Sequence, residues 1–158
     1  MLPFVRLGYV LCITGLCVVS LQAGTAAGRR QPGESSVEAG RSTFEDRCAT
    51  CHQFEGRVRE APPLAGSDWV TGPESRLIRI VLHGVRGEME VAGRTYNREM
   101  PGFGPVLSDE EIAAVLSFVR KRFGGLTTPI RPPTVAAIRA AHEGRASYWS
   151  VDELLDIR

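Results

Sequence analysis

The stretch that decides the fold is Cys48-Ala49-Thr50-Cys51-His52. A C-x-x-C pair has three physical readings, and its surroundings separate them. A thioredoxin-like redox pair belongs beside a βαβ pattern, and no strand-rich flank accompanies this one. A four-ligand zinc site needs two more cysteines or histidines at ligand spacing, whereas His83 and His142 are isolated. A histidine directly after the second cysteine marks the attachment sequence of a c-type haem: two thiols on one turn add to the vinyl groups, and the imidazole comes under the iron. The pattern predicts one haem c held covalently through Cys48 and Cys51, with His52 as an axial ligand.

Upstream, Leu7 to Leu21 follows the single charge of Arg6 and carries none itself. It reads as the apolar core of a secretory signal, with the small residues of QAGTAAG offering cleavage after Ala27 in preference to Ala23. Residues 1–27 are therefore expected to be a signal peptide and the mature protein to be periplasmic or otherwise exported. An uncleaved anchor over residues 7–28 is the rival, since a span needs roughly 20 predominantly apolar residues; Gln22, Gly24, Thr25 and Gly28 dilute it. Cys12 and Cys17 each follow a leucine rather than the small residue that lipidation requires, and read as apolar filler. Cleavage leaves Cys48 and Cys51 as the only cysteines. The polar segment Arg29 to Gly40 reads as a flexible leader, assigned to residues 28–39.

The 158 residues, 43% hydrophobic and 23% charged, suit one globular domain. Nineteen basic side chains against 18 acidic ones leave no excess to neutralise a row of phosphates, which argues against nucleic-acid binding. Lys121 is the single lysine, so a lysine-lined docking face is excluded.

A haem iron has two axial positions, and His52 fills one. Met100 lies in Tyr96-Asn97-Arg98-Glu99-Met100-Pro101-Gly102-Phe103-Gly104-Pro105, a loop expected to be neither regular helix nor regular strand. A methionine there has no helical face to pack, and it is the candidate for the second position. Met89, between two glutamates, reads as a partly exposed loop residue. His83 ends the apolar run Leu77 to Leu82 before Gly84, where a histidine is already explained by helix-end chemistry.

The chain here resembles the class I c-type cytochromes, small monohaem electron-transfer domains with His–Met ligation. The resemblance runs from about Gly40 to Phe123. Gly40 and Phe44 match the glycine and aromatic of the N-terminal helix that meets the C-terminal one. Ala61-Pro62-Pro63-Leu64 matches the segment after the attachment site; it implies that Pro62 offers its carbonyl to the other nitrogen of His52 and that Leu64 packs on the haem. Met100-Pro101 matches the distal-ligand loop, and Leu107 to Ile112 the start of the last core helix. The implied fold is all-α, a cytochrome c fold of three core helices plus short helices around one haem, over residues 40–125. The residues agree for the last helix: Ser108 and Glu111 form a capping box, Ile112, Val115, Leu116, Val119 and Phe123 keep helical spacing, and Gly124 supplies a stop. Phe118 is the expected partner of Phe44.

Residues 126–158 depart from the minimal pattern. Leu126 to Pro133 reads as a Pro-rich linker. A helix capped by Thr134 and ending near Glu143-Gly144 follows, and then a second helix with a Ser150–Glu153 box. Such a tail is similar to that of cytochromes working with periplasmic dehydrogenases.

His–Met ligation leaves no open iron position, so the expected function is single-electron transport between a dehydrogenase or respiratory complex and a terminal acceptor such as an oxidase, not enzymatic catalysis. Two alternatives stand beside it: a haem-based ligand sensor with a displaceable methionine, and a permanent cytochrome subunit of a dehydrogenase. Among neighbouring residues, Trp69 is placed to reach a propionate or pack in the core, and Tyr96 and Asn97 to hold the methionine loop. Arg79, Arg86 and Arg94 are candidates for propionate pairing.

Overall fold

A computed structural model describes residues 32–52 and 61–157. The expected signal peptide and its cleavage site lie outside the described residues. Helix α1 (Pro32–Arg47) leads into the CATCH sequence. The segment expected as a flexible leader is thus helical from Pro32 onward. A proline in the first turn costs the helix nothing, because the N–H it lacks would have no partner there.

Two short helices follow. Ser67 caps α2 (Asp68–Thr71) by accepting the Trp69 amide, and α3 (Glu74–His83) buries Leu77, Ile78, Ile80, Val81 and Leu82. The last core helix, α4 (Asp109–Gly124), begins at the predicted box: the Ser108 amide donates to Glu111 Oε2 at 2.8 Å and the Glu111 amide to Ser108 Oγ at 3.2 Å. Gly124 is its last residue and not its stop. The cap is Gly125, whose φ of 69° is the left-handed conformation glycine adopts freely.

Helix α1 makes its broadest contact with α4. The crossing is close because Gly40 has no side chain; a Cβ there would collide with the Ala114 carbonyl. Next to it Phe44, fully buried, meets Phe118 and Phe123 at ring separations of 5.5 and 5.6 Å, in the tilted geometry aromatic pairs prefer.

Short strands modify the all-helical expectation. Strands β2 (Met89–Val91) and β3 (Arg94–Tyr96) form a hairpin over Ala92-Gly93, both at positive φ, as a two-residue turn between twisted strands requires. Strand β1 (Gly84–Arg86) pairs antiparallel with β4 (Met100–Pro101) and parallel with β5 (Trp149–Ser150). The methionine loop expected to be irregular is therefore part of a small sheet of order β4-β1-β5. Periodicity cannot show strands of two or three residues, and those of the β4-β1-β5 sheet exist only because their backbone groups find partners in separate segments of the chain.

The tail packs on this domain. Ile130 is buried and its amide donates to Ser117 Oγ at 2.9 Å, while that hydroxyl donates to the Ala113 carbonyl at 2.7 Å, so the Pro-rich segment is pinned to α4. Helix α5 (Pro132–Ala141) starts on two prolines after Arg131. Thr134 lies inside it and does not cap it, and the helix ends before Glu143, with His142 at its cap. Helix α6 (Val151–Leu155) carries the expected Ser150–Glu153 box. Among the described residues no helix is long and apolar enough to cross a membrane.

Candidate haem site

After α1 the chain turns tightly: the Cys51 and His52 amides donate to the Cys48 carbonyl at 3.1 and 2.8 Å. Both cysteines and His52 thereby line one cavity of about 460 Å³, within the size range of cofactor pockets. Burial, and secondarily the neighbouring Cys51, push the Cys48 thiol up to about 11, so it is a neutral thiol rather than an activated thiolate. Among the described residues no three of His, Cys, Asp and Glu cluster as a metal shell.

His52 Nδ1 lies 3.3 Å from the Pro62 carbonyl, the contact that the family resemblance implies. A carbonyl only accepts, so Nδ1 carries the proton and Nε2 keeps its lone pair. Burial lowers the affinity of this imidazole for a second proton, against the raising effect of the Pro62 bond. Burial thus favours the neutral ring, the form that binds metal.

Pro62, Leu64, Trp69, Tyr96 and Met100 line the same cavity as Cys48, Cys51 and His52. Eight residues named from the sequence are thus brought together. Around them Val81, Val85, Phe103, Leu107, Leu116 and Val119 make the walls largely apolar. The donor set fits a covalently bound haem: two thiols on one turn, a neutral imidazole, a thioether, and a water-excluding wall.

Asn97, expected to hold the methionine loop, is exposed and stands outside the cavity lining, which leaves that expectation as it was. Several other expectations are corrected. Arg79 donates to His142 Nε2 at 3.1 Å and to the Ser75 carbonyl at 2.9 Å, and Arg86 pairs with Glu99 at 3.4 Å; Arg94 sits over the Tyr96 ring. None of the three lines the cavity, whereas Arg47 and Arg98 do. Arg47 directly precedes Cys48 and Arg98 stands two residues before Met100, but neither position in the sequence fixes where the side chain points. Met89 also lines the cavity, because the β2–β3 hairpin turns it inward opposite Tyr96. His83 and His142 lie outside it, with ring centroids 6.2 Å apart.

A helix pair crossing at Gly40 and Phe44, a C-x-x-C-H turn and an apolar cavity facing a methionine loop define a c-type cytochrome domain. The chain belongs to the family described as cytochrome c oxidase, cbb3-type, subunit III, whose profile matches residues 35–119, more than half of its length. It is a haem c protein, with one haem attached through Cys48 and Cys51. Cytochrome c-552 of Thermus thermophilus is 37% identical over 98 residues, which cover 58% of this chain and 66% of that protein. The cytochrome c subunit of gluconate 2-dehydrogenase from Pantoea cypripedii is 35% identical over 128 residues, 73% of this chain and 28% of the relative. The cbb3-type oxidase subunit FixP of Sinorhizobium medicae is 34% identical over 86 residues, 53% and 29% respectively. The chain thus spans less than two thirds of the length of each of these relatives.

Proposed function

We propose that this protein is an exported carrier of single electrons between a dehydrogenase or respiratory complex and a terminal acceptor such as an oxidase, with His52 and Met100 as the residues that would hold the haem iron. The observation that carries the reading is that an oriented, neutral imidazole and a thioether line one apolar cavity beside the two attachment thiols. Bound haem supplies an iron that gains and loses one electron. The Pro62 carbonyl fixes the tautomer and orientation of His52 and raises its basicity as a ligand. The thioether of Met100 favours the reduced state and raises the potential. The apolar walls keep water and other ligands away, so neither redox state recruits a substrate. Arg47 and Arg98, which line the cavity, are the side chains expected beside the propionates. Export rests on the uncharged run before Gln22.

The partners are redox proteins of the kinds the relatives' names give, a dehydrogenase on one side and a cbb3-type oxidase on the other. A permanent dehydrogenase subunit is a second reading, favoured by the long match to the gluconate dehydrogenase cytochrome subunit, which covers 73% of this chain. Once Arg6 is removed, 18 basic and 18 acidic side chains remain, so docking is expected to depend on an apolar rim more than on charge steering. Potentiometric titration of the matured protein followed by mixing with membranes carrying a cytochrome oxidase tests the carrier reading. A one-electron transition and oxidation by the membranes, little changed by ionic strength, are expected. A reduced protein that is not reoxidised and instead takes up carbon monoxide would point to the sensor alternative.

A further inference from the structure

The methionine loop is held from two sides, and one of them is the C-terminal extension. On the domain's own side the Phe103 amide donates to the Val81 carbonyl at 2.7 Å and the Gly104 amide to the Leu82 carbonyl at 3.0 Å, using the free carbonyls at the end of α3. On the other side stands Arg139 of α5. Its Nη1 donates to the Gly104 carbonyl at 2.6 Å, its Nη2 to the Leu107 carbonyl at 2.9 Å, and its Nε to Asp109 Oδ1 at 2.8 Å. A Cβ on Gly104 would stand 2.6 Å from the Leu82 oxygen and 3.3 Å from Arg139 Nη1, so this backbone lies in a slot between the two elements.

The extension reaches Met100 a second way. Val85 of β1 pairs with Met100 on one edge and with Trp149 of β5 on the other. Met100 also packs against the buried cluster of Ile80, Val85, Trp149, Val151 and Leu154, three of which belong to the extension. That part of the extension is itself fixed: Arg76 donates to the Leu154 and Ile157 carbonyls, each at 2.9 Å, and the Arg145 guanidinium lies 3.6 Å from the Trp149 ring centroid while bonding Glu153.

We propose that the C-terminal extension is a positioning device for the distal methionine, with Arg139 as the residue that clamps the loop behind it. The inference rests on Met100 being the axial ligand. An extension that merely covered apolar surface would not need a guanidinium with all three of its nitrogens bonded to one loop and the first residue of the helix that follows it. Opening that loop, the motion by which Met100 would leave its place, requires those bonds to break. Lysine cannot replace them: it carries the charge toward Asp109 but lacks the planar fork that reaches two carbonyls as well.

The test uses the full-length protein with haem attached, as wild type, Arg139→Lys and Arg139→Ala. Two quantities are read: amide hydrogen exchange at Phe103 and Gly104 against the interior of α4, and carbon monoxide binding to the reduced protein. Both variants are expected to exchange the two loop amides about tenfold faster or more, the size of losing one charge-assisted hydrogen bond, and to bind carbon monoxide faster by a similar factor. The α4 amides should hold their wild-type rates. Equal acceleration of loop and α4 would mean general destabilisation and overturn the clamp, as would wild-type loop exchange in either folded variant. If Arg139→Ala does not fold, Arg139→Lys alone decides. Immediate carbon monoxide binding by the wild type would instead overturn the Met100 reading, while the exchange rates would still report whether Arg139 holds the loop.

Discussion

His52 shows how much one residue's surroundings contribute. Its place after Cys51 predicts an axial ligand; its bond to Pro62 and its burial explain why the ring is neutral and its Nε2 available. The eight cavity residues named from the sequence were legible because each lies in a short local pattern or in a family segment. Met89, Arg47 and Arg98 were not read as cavity residues, since their direction depends on a hairpin and a helix end that only the folded chain fixes. Ser117 was equally silent in sequence, a polar residue on the buried face of α4. Its hydroxyl is the acceptor for the buried Ile130 amide. Ser117→Ala leaves that amide without a partner and should cost about 1–3 kcal/mol. Thermal unfolding of the holoprotein should show a midpoint lower by several degrees, with faster exchange at Ile130; an unchanged midpoint would mean that water replaces the hydroxyl.

At the scale of elements, the α1–α4 crossing was legible through the family resemblance, which implied it at Gly40 and Phe44, while the residues themselves showed the amphipathic spacing of α4. The strands were not, since pairs such as Val85 with Met100 and Trp149 join segments far apart in the chain. The end of α5 was misplaced for a related reason: two prolines start it and His142 ends it, overriding the caps that Thr134 and Gly144 suggested. Gly40→Ala tests the crossing. The added methyl meets the Ala114 backbone, which cannot move aside without shifting α4. A loss of about 1–3 kcal/mol or more is expected from overpacking, read as a lowered unfolding midpoint and reduced yield of holoprotein. Helix propensity alone would favour alanine over glycine, so a stabilised variant would contradict the close approach.

For the whole molecule, domain and extension share one polar seam. His83 and His142 lie there, and both are pushed below the ordinary histidine range, by burial first; for His83 the charges of His142, Arg145 and Arg139 add to this, against its bond to the Arg145 backbone, and for His142 those of Arg79 and Arg145 add. Unfolded, each takes up a proton near pH ~6.5, whereas folded each resists it. Their contribution to stability is therefore complete above that pH and lost as pH falls through the lower folded values. The unfolding midpoint of the holoprotein should drop on acidification below about pH 6.5, and His142→Gln should reduce that slope; an identical slope in the variant would place the acid sensitivity elsewhere.

The cavity proposed to hold the haem c is walled by residues of the main core, so cofactor and fold are expected to stand or fall together. Whether His52 and Met100 saturate the iron of an electron carrier can be read from the visible absorption spectrum of the matured protein, oxidised, reduced, and reduced under carbon monoxide, for the wild type, Met100→Ala and Met89→Ala. A low-spin haem with a methionine-to-iron charge-transfer absorption when oxidised and no carbon monoxide uptake when reduced is expected in the wild type and Met89→Ala alike, with the absorption lost and the gas bound promptly only in Met100→Ala. Prompt uptake by the wild type, or an iron opened by Met89→Ala and not by Met100→Ala, would contradict this ligation.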